Sequence, residues 1–121
     1  MSDAAVPRFH SVAIDCPDPA ALGTFYARLL DWPVPADEGE WVTLQAPSGG
    51  PTIAFQRATG YVAPTWPAPE VPQQLHLDLE VDDMDAAHQR AVQLGARLLD
   101  TQDTFRVYAD PVGHPFCLCA A

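Results

Sequence analysis

A chain of 121 residues, 48% of them hydrophobic, can bury one core but not two independent ones, so a single domain over residues 1–121 is expected. Sixteen acidic against six basic residues leave a formal charge of −10, which excludes the clustered cations that phosphate-backbone binding needs. The same charge would attract a cationic ligand, although a well-solvated acidic surface is the plainer explanation.

The start MSDAAVPRF has neither the basic opening nor the apolar run of a secretory leader. No uncharged apolar stretch approaches the ~18 residues of a membrane span. A cytoplasmic protein with no membrane or nucleic-acid partner is therefore expected. From there, Val12, Ile14 and Cys16 alternate with Ser11, Ala13 and Asp15, which predicts a strand with one apolar face. Asp18 followed by Pro19 predicts a helix start, and Leu22, Phe25, Tyr26 and Leu29 recur at helical spacing. Residues 41–44 and 52–55 read as strands around the turn former Pro47-Ser48-Gly49-Gly50. Residues 58–74 carry Pro64, Pro67, Pro69 and Pro72, so they can be neither helix nor internal strand. They read as an extended linker whose Tyr61 and Trp66 either span the gap or fold over a site. Beyond it, Leu77, Leu79 and Val81 alternate with His76, Asp78 and Glu80; Asp83 caps a second helix with Met84, Ala87, Ala91 and Leu94 inward; and Gly95 suits its end. Residues 106–109 and 116–119 close the chain as strands around Asp110-Pro111-Val112-Gly113.

The second series repeats the first. Ser11 aligns with His76, Ile14 with Leu79, Asp18 with Asp83, and GPTIAFQ with GHPFCLC. A repeat of this size means two copies of one supersecondary unit: module one at 9–57, the linker at 58–74 and module two at 75–120.

One face of each sheet, with Val12, Ile14, Leu77 and Leu79, should lie under its helix. The other carries Ser11, Ala13, Asp15, Thr52, Ala54 and Gln56 in the first copy, and His76, Asp78, Glu80, Cys117 and Cys119 in the second. It is either a solvated surface or the wall of a ligand cup. In it, Cys117 with His76 as base could serve as a nucleophile, against the plainer reading of a buried structural thiol. Asp78 or Glu80 could serve as an acid or base. His10, out of step with Ser11 by one residue, should face the other way; His88 should lie on the exposed side of its helix, and His114 in a turn. Cys16, Cys117 and Cys119 read as free thiols of a reducing compartment. No hydrolase elbow or Gly-rich phosphate loop occurs.

The run DPAALGTFYARLL at 18–30, HLDLEVDD at 76–83 and DPVGHPF at 110–116, set in a doubled β-α-β-β-β pattern, resemble the vicinal oxygen chelate superfamily of glyoxalase I, bleomycin-resistance proteins and extradiol dioxygenases. Within it, the chain is most similar to small actinobacterial glyoxalase-like domain proteins. The resemblance implies an α+β fold of two tandem βαβββ modules with a concave mixed sheet. It also implies metal-ligand positions at Ser11, Ala54, His76 and Cys117. Serine is a poor ligand there and alanine none, so no metal is expected; if one is present (zinc, nickel, iron or manganese), His76 and Cys117 would hold it. The implied function is metal-independent binding of a small molecule, cationic or aromatic, in a homodimer. Trp41, Phe55, Tyr61, Trp66, Phe105 and Tyr108 would form its walls, lined also by Ser11 and Ala54, with Asp15, Gln56, His76, Asp78 and Glu80 orienting the ligand. The alternative is a metal-dependent lyase, isomerase or dioxygenase built around His76; a module with a vestigial pocket is a third reading.

Overall fold

In each half of the chain the strand that opens the repeat runs parallel to the strand that closes it, with the helix as the crossover that a parallel pair requires. This computed structural model describes residues 3–121. It divides into two compact units, Met1–Ala58 and Thr59–Ala121, so the boundary falls where the Pro-rich segment begins.

The first unit contains β1 (Ser11–Cys16), α1 (Pro19–Leu30), β2 (Trp41–Leu44) and β3 (Thr52–Arg57). Its sheet order is β1-β3-β2. Ser11 lies beside Thr52 and Asp15 beside Gln56, and β2 closes antiparallel on β3. The predicted cap is present: an Asp18 carboxylate oxygen accepts from the Ala21 N–H at 3.2 Å, and Pro19 takes the first helical position. The helix stops at Asp31, left-handed at φ 57°, a conformation that aspartate tolerates better than most residues. Leu22, Phe25 and Tyr26 of α1 are buried, as are Ile14, Cys16, Val42, Leu44 and Phe55 of the sheet. Phe55 stacks on Tyr26 with ring centroids 5.8 Å apart, so it belongs to the helix side and not to a ligand wall as expected. Gly23 permits the close approach, since a Cβ there would come within 3.2 Å of Val42 Cγ1.

The second unit contains β4 (Leu77–Val81), α2 (Met84–Leu94), β5 (Arg97–Thr101), β6 (Phe105–Ala109) and β7 (Pro115–Ala120), in the order β4-β7-β6-β5. This is the full βαβββ pattern. The first unit has one strand fewer among its described residues: the segment that corresponds to β5 holds Pro33 and Pro35, which cannot donate to a ladder. Both sheets are mixed, with one parallel pair each, and the α+β class stands.

The core of the second unit is built differently from that of the first. Ala91 is the one buried residue of α2, and the bulk comes from Tyr108, Phe116 and Leu118 of the sheet. Tyr108 stacks on Phe116 at 5.4 Å, and its hydroxyl meets His88 Nδ1 at 2.7 Å. Two expectations are thereby corrected. Tyr108 faces the helix rather than the ligand side, because it is one residue out of phase with Val107 on a strand whose faces alternate. His88 is half-buried and hydrogen-bonded, since a buried phenol draws the nearest polar group to it.

The Pro-rich segment is part of this unit. Thr65 and Val71 brace it through an N–H to O=C bond of 2.8 Å and a Val71 N–H to Thr65 Oγ1 bond of 2.9 Å. The Tyr61 hydroxyl donates to the Val112 carbonyl at 2.9 Å, anchoring the segment to the turn between β6 and β7. In that turn Asp110 is 4% exposed, and one of its carboxylate oxygens accepts from the Val112 and His114 N–H groups, both at 3.0 Å. Gly113 has φ 98°, and a Cβ there would stand 2.6 Å from Ala63 Cβ, so both conformation and space demand glycine.

Asp110→Ala would strand those two N–H groups and is expected to cost about 2 kcal/mol. Asp110→Asn, which keeps an acceptor, should cost less. Urea denaturation followed by circular dichroism checks this, and equal midpoints for wild type and Asp110→Ala would contradict it.

Candidate functional site

Strand alternation in the second unit sends His76, just before β4, and Asp78, on it, to the side away from α2, and the register fills in their neighbours. Asp78 lies beside Cys117 and Glu80 beside Cys119. Val107 is opposite Cys117 and Phe105 opposite Cys119 on β6. The Pro-rich segment closes over this face, and the result is a cavity of about 390 Å³. Its apolar wall is Trp66, Phe105, Val107 and Pro115, with the two thiols; its polar groups are Gln73, His76 and Asp78.

Asp78 is the hub. One of its carboxylate oxygens is 3.3 Å from His76 Nε2 and 4.0 Å from Cys119 Sγ, the thiol donating. The His76 and Asp78 side chains keep 42% and 63% of their exposure; an ion pair that open contributes ~0–1 kcal/mol. Its consequence is to hold a carboxylate in a mostly apolar cavity. Loss of hydration, then the negative charge of Asp78, push the Cys117 thiol up to about 11. Burial first, and then Asp78 and Glu80, raise Cys119 as well. Both thiols are therefore protonated near neutral pH, and the electrostatics oppose Cys117 acting as a nucleophile with His76 as base. Glu80 faces the same side but is not in the wall.

Of the expected ligand-side residues, His76, Asp78, Cys117, Trp66 and Phe105 come together here. Tyr61 does not; it stands against the turn, its ring 5.2 Å from that of His114. Gln73, Val107 and Pro115 were not foreseen. Val107 and Pro115 could have been found by counting alternate residues from Phe105 and Cys117, but Gln73 sits in an irregular segment with no periodicity to reveal it.

In the first unit, Ser11 and Trp41 line a second, more polar cavity of about 420 Å³, with Thr43, Gln45, Thr52 and Glu38. His10 also lines it, contrary to the expectation that it would face away from Ser11; it precedes the regular strand, where strict alternation lapses. The Ser11 hydroxyl donates to the Thr52 carbonyl at 3.1 Å, and Trp41 Nε1 donates to Thr43 Oγ1 at 3.0 Å. Asp15 and Gln56 are exposed beside each other on the same face, outside the cavity wall. Ala54 is 1% exposed and is not a wall residue either.

The resemblance raises the question of a metal. His76, Asp78 and Cys117 each offer a donor atom, all within 4.8 Å of one another. One imidazole, one carboxylate and one thiol suit a zinc-like ion with a position left open, provided Cys117 gives up its proton. The donor set thus fits in kind, and Asp78 supplies what Ser11 and Ala54 do not.

Solved structures share this fold. A glyoxalase/bleomycin resistance protein/dioxygenase family enzyme from Burkholderia phytofirmans PsJN matches with a TM-score of 0.71 at 16% identity, over 91% of this chain and 95% of its own. A glyoxalase/dioxygenase from Nostoc punctiforme matches at 0.68 and 18%, over 99% and 94%. TnmS3, an antibiotic binding protein from Streptomyces sp. CB03234, matches at 0.64 and 19%, over 96% and 97%. Identities this low speak for the fold alone. No protein of curated function matches in sequence. The chain belongs to the glyoxalase-like domain family, whose sequence profile matches residues 11–119. No helix among the described residues is long and apolar enough to cross a membrane.

Alkylation by iodoacetamide, followed by peptide mass spectrometry across pH, should show the Cys117 rate rising with a midpoint near 11. A midpoint at or below ~8.5, the ordinary thiol value, would contradict that environment.

Proposed function

We propose that the protein binds a small cationic aromatic molecule in the cavity of its second unit, without needing a catalytic metal. The observation that carries this reading is a carboxylate, Asp78, set among Trp66, Phe105 and Val107 in a cavity whose wall has no Lys or Arg. A planar cation gains a charge-assisted hydrogen bond from the carboxylate and stacking or cation–π contact from the rings. A volume of about 390 Å³ suits a drug-sized ligand or part of one. The antibiotic binding protein among the similar folds supports small-molecule binding on such a fold. It extends to a cytosolic homodimer: three free cysteines suit a reducing compartment, and the open face of Asp15 and Gln56 offers a surface for a second copy.

The alternative is a metal-dependent lyase, isomerase or dioxygenase, and what favours it is the three-donor group of His76, Asp78 and Cys117. A metal bound there would polarise substrate oxygens. Elemental mass spectrometry of protein purified without chelator separates the two. Near-stoichiometric zinc, nickel, iron or manganese that falls on His76→Ala would favour the enzyme; metal-free protein that resists reloading removes it.

Isothermal titration with benzamidine, a planar aromatic amidinium, tests the first reading. Asp78→Asn is expected to weaken binding about tenfold, and Trp66→Ala to weaken it as well. Affinity unchanged in both variants, or no binding to the wild type, would contradict the proposal.

A further inference from the structure

The proposed cation contact leaves the two thiols of the second-unit cavity without a role. Cys117 and Cys119 stand at alternate positions of β7, so both face the cavity, and both line its wall. Cys117 is 8% exposed and Cys119 more so, which puts both within reach of a molecule in the cavity. They share a polar neighbour: Cys119 Sγ donates to an Asp78 carboxylate oxygen at 4.0 Å, and Cys117 Sγ lies within 4.8 Å of the Asp78 and His76 donor atoms.

Their spacing decides what can join them. Residues two apart on a strand hold their side chains about 6.6 Å apart, whereas a disulfide draws its Cβ atoms to ~3.8 Å. Direct oxidation would therefore have to bend β7. A single larger atom bonded to both sulfurs adds a second bond to the span and closes it once each thiol turns about its own Cα–Cβ bond. That atom must also accept thiols that carry their protons. Burial, and then Asp78, raise both thiols, which suppresses reagents that need a thiolate but not one whose departing oxygen takes up the thiol protons.

We propose that Cys117 and Cys119 together bind a trivalent arsenical, with an aryl substituent on the arsenic packed against Trp66 and Phe105. The step balances without a redox partner. The arsenic–oxygen double bond of the arsenical is given up, two sulfur–arsenic bonds form, the two S–H protons leave with the oxygen as one water, and the arsenic stays trivalent. The rings, with Val107 and Pro115, bury the aryl group, so an aryl arsenical is favoured over inorganic arsenite, which has nothing to place there. Neither thiol is needed to hold a cation, so this site and the cation reading stand or fall separately.

Phenylarsine oxide, added in equimolar amount to the reduced protein and followed by intact-mass spectrometry, tests the proposal. The expected product is one arsenical per chain with loss of one water, kept in excess glutathione, a monothiol, and removed by dithiothreitol. Cys117→Ser and Cys119→Ser should each weaken retention about a hundredfold, because one of two linked bonds is lost. Cys16, the third thiol, is fully buried and should carry no arsenic on peptide mapping. Trp66→Ala should narrow the preference for phenylarsine oxide over arsenite. The proposal is overturned if the wild type takes no adduct, if glutathione strips it, if the arsenic maps to Cys16, or if Cys119→Ser retains it fully. That last variant changes the more exposed thiol, so it decides the matter even where Cys117→Ser does not fold. Equal affinity of the wild type for arsenite and phenylarsine oxide overturns the role of the aromatic wall.

Discussion

Parallel pairing of β4 with β7 is the constraint on which the site depends. These strands are far apart in sequence, and α2 and two further strands intervene. Their register brings Asp78 beside Cys117, and period-two alternation then decides everything else on that face. Slipping β7 by one residue would turn both thiols into the core and expose Phe116 and Leu118, which are among the most buried side chains of the unit. The hydrophobic helix side thus enforces the polar side. The site is a by-product of core packing, refined by which residues happen to stand opposite.

What those residues do to one another follows from sharing a poorly hydrated space. Loss of hydration first, and then the nearby Asp78 carboxylate, raise both the Cys117 and the Cys119 thiol. The same carboxylate is drawn toward any positive partner, whether protonated His76, an organic cation or a metal ion. These partners compete for one group. The choice between a binding protein and a metal enzyme therefore reduces to what Asp78 holds under working conditions, and the strongly acidic composition of the chain favours positive charge in either case.

Much of this was legible in the residues. The alternation of 76–81 separates His76 and Asp78 from Leu77 and Leu79, Asp18 and Asp83 announce both helices, and the repeat exposes the opening and closing strands of each module. The family resemblance, rather than any periodicity, implied Ser11 and Ala54 as ligand positions that are ill suited to a metal. Two kinds of feature escaped. One was the phase of single strands: Tyr108 and Phe55 look like ligand-wall aromatics from composition, yet each falls on the helix parity of its strand. The other was irregular backbone. Pro33 and Pro35 remove a strand from the first unit, and Gln73 reaches the second cavity from a segment where no period predicts direction.

Two-dimensional amide NMR spectra of the wild type titrated with benzamidine test the central claim most directly, because they locate binding without presuming a variant. The expected result is saturable shift changes concentrated at His76, Asp78, Phe105, Cys117 and Cys119 and along residues 66–73. Changes centred instead on Ser11, Trp41 and Thr52, or none at concentrations that saturate weak sites, would contradict it.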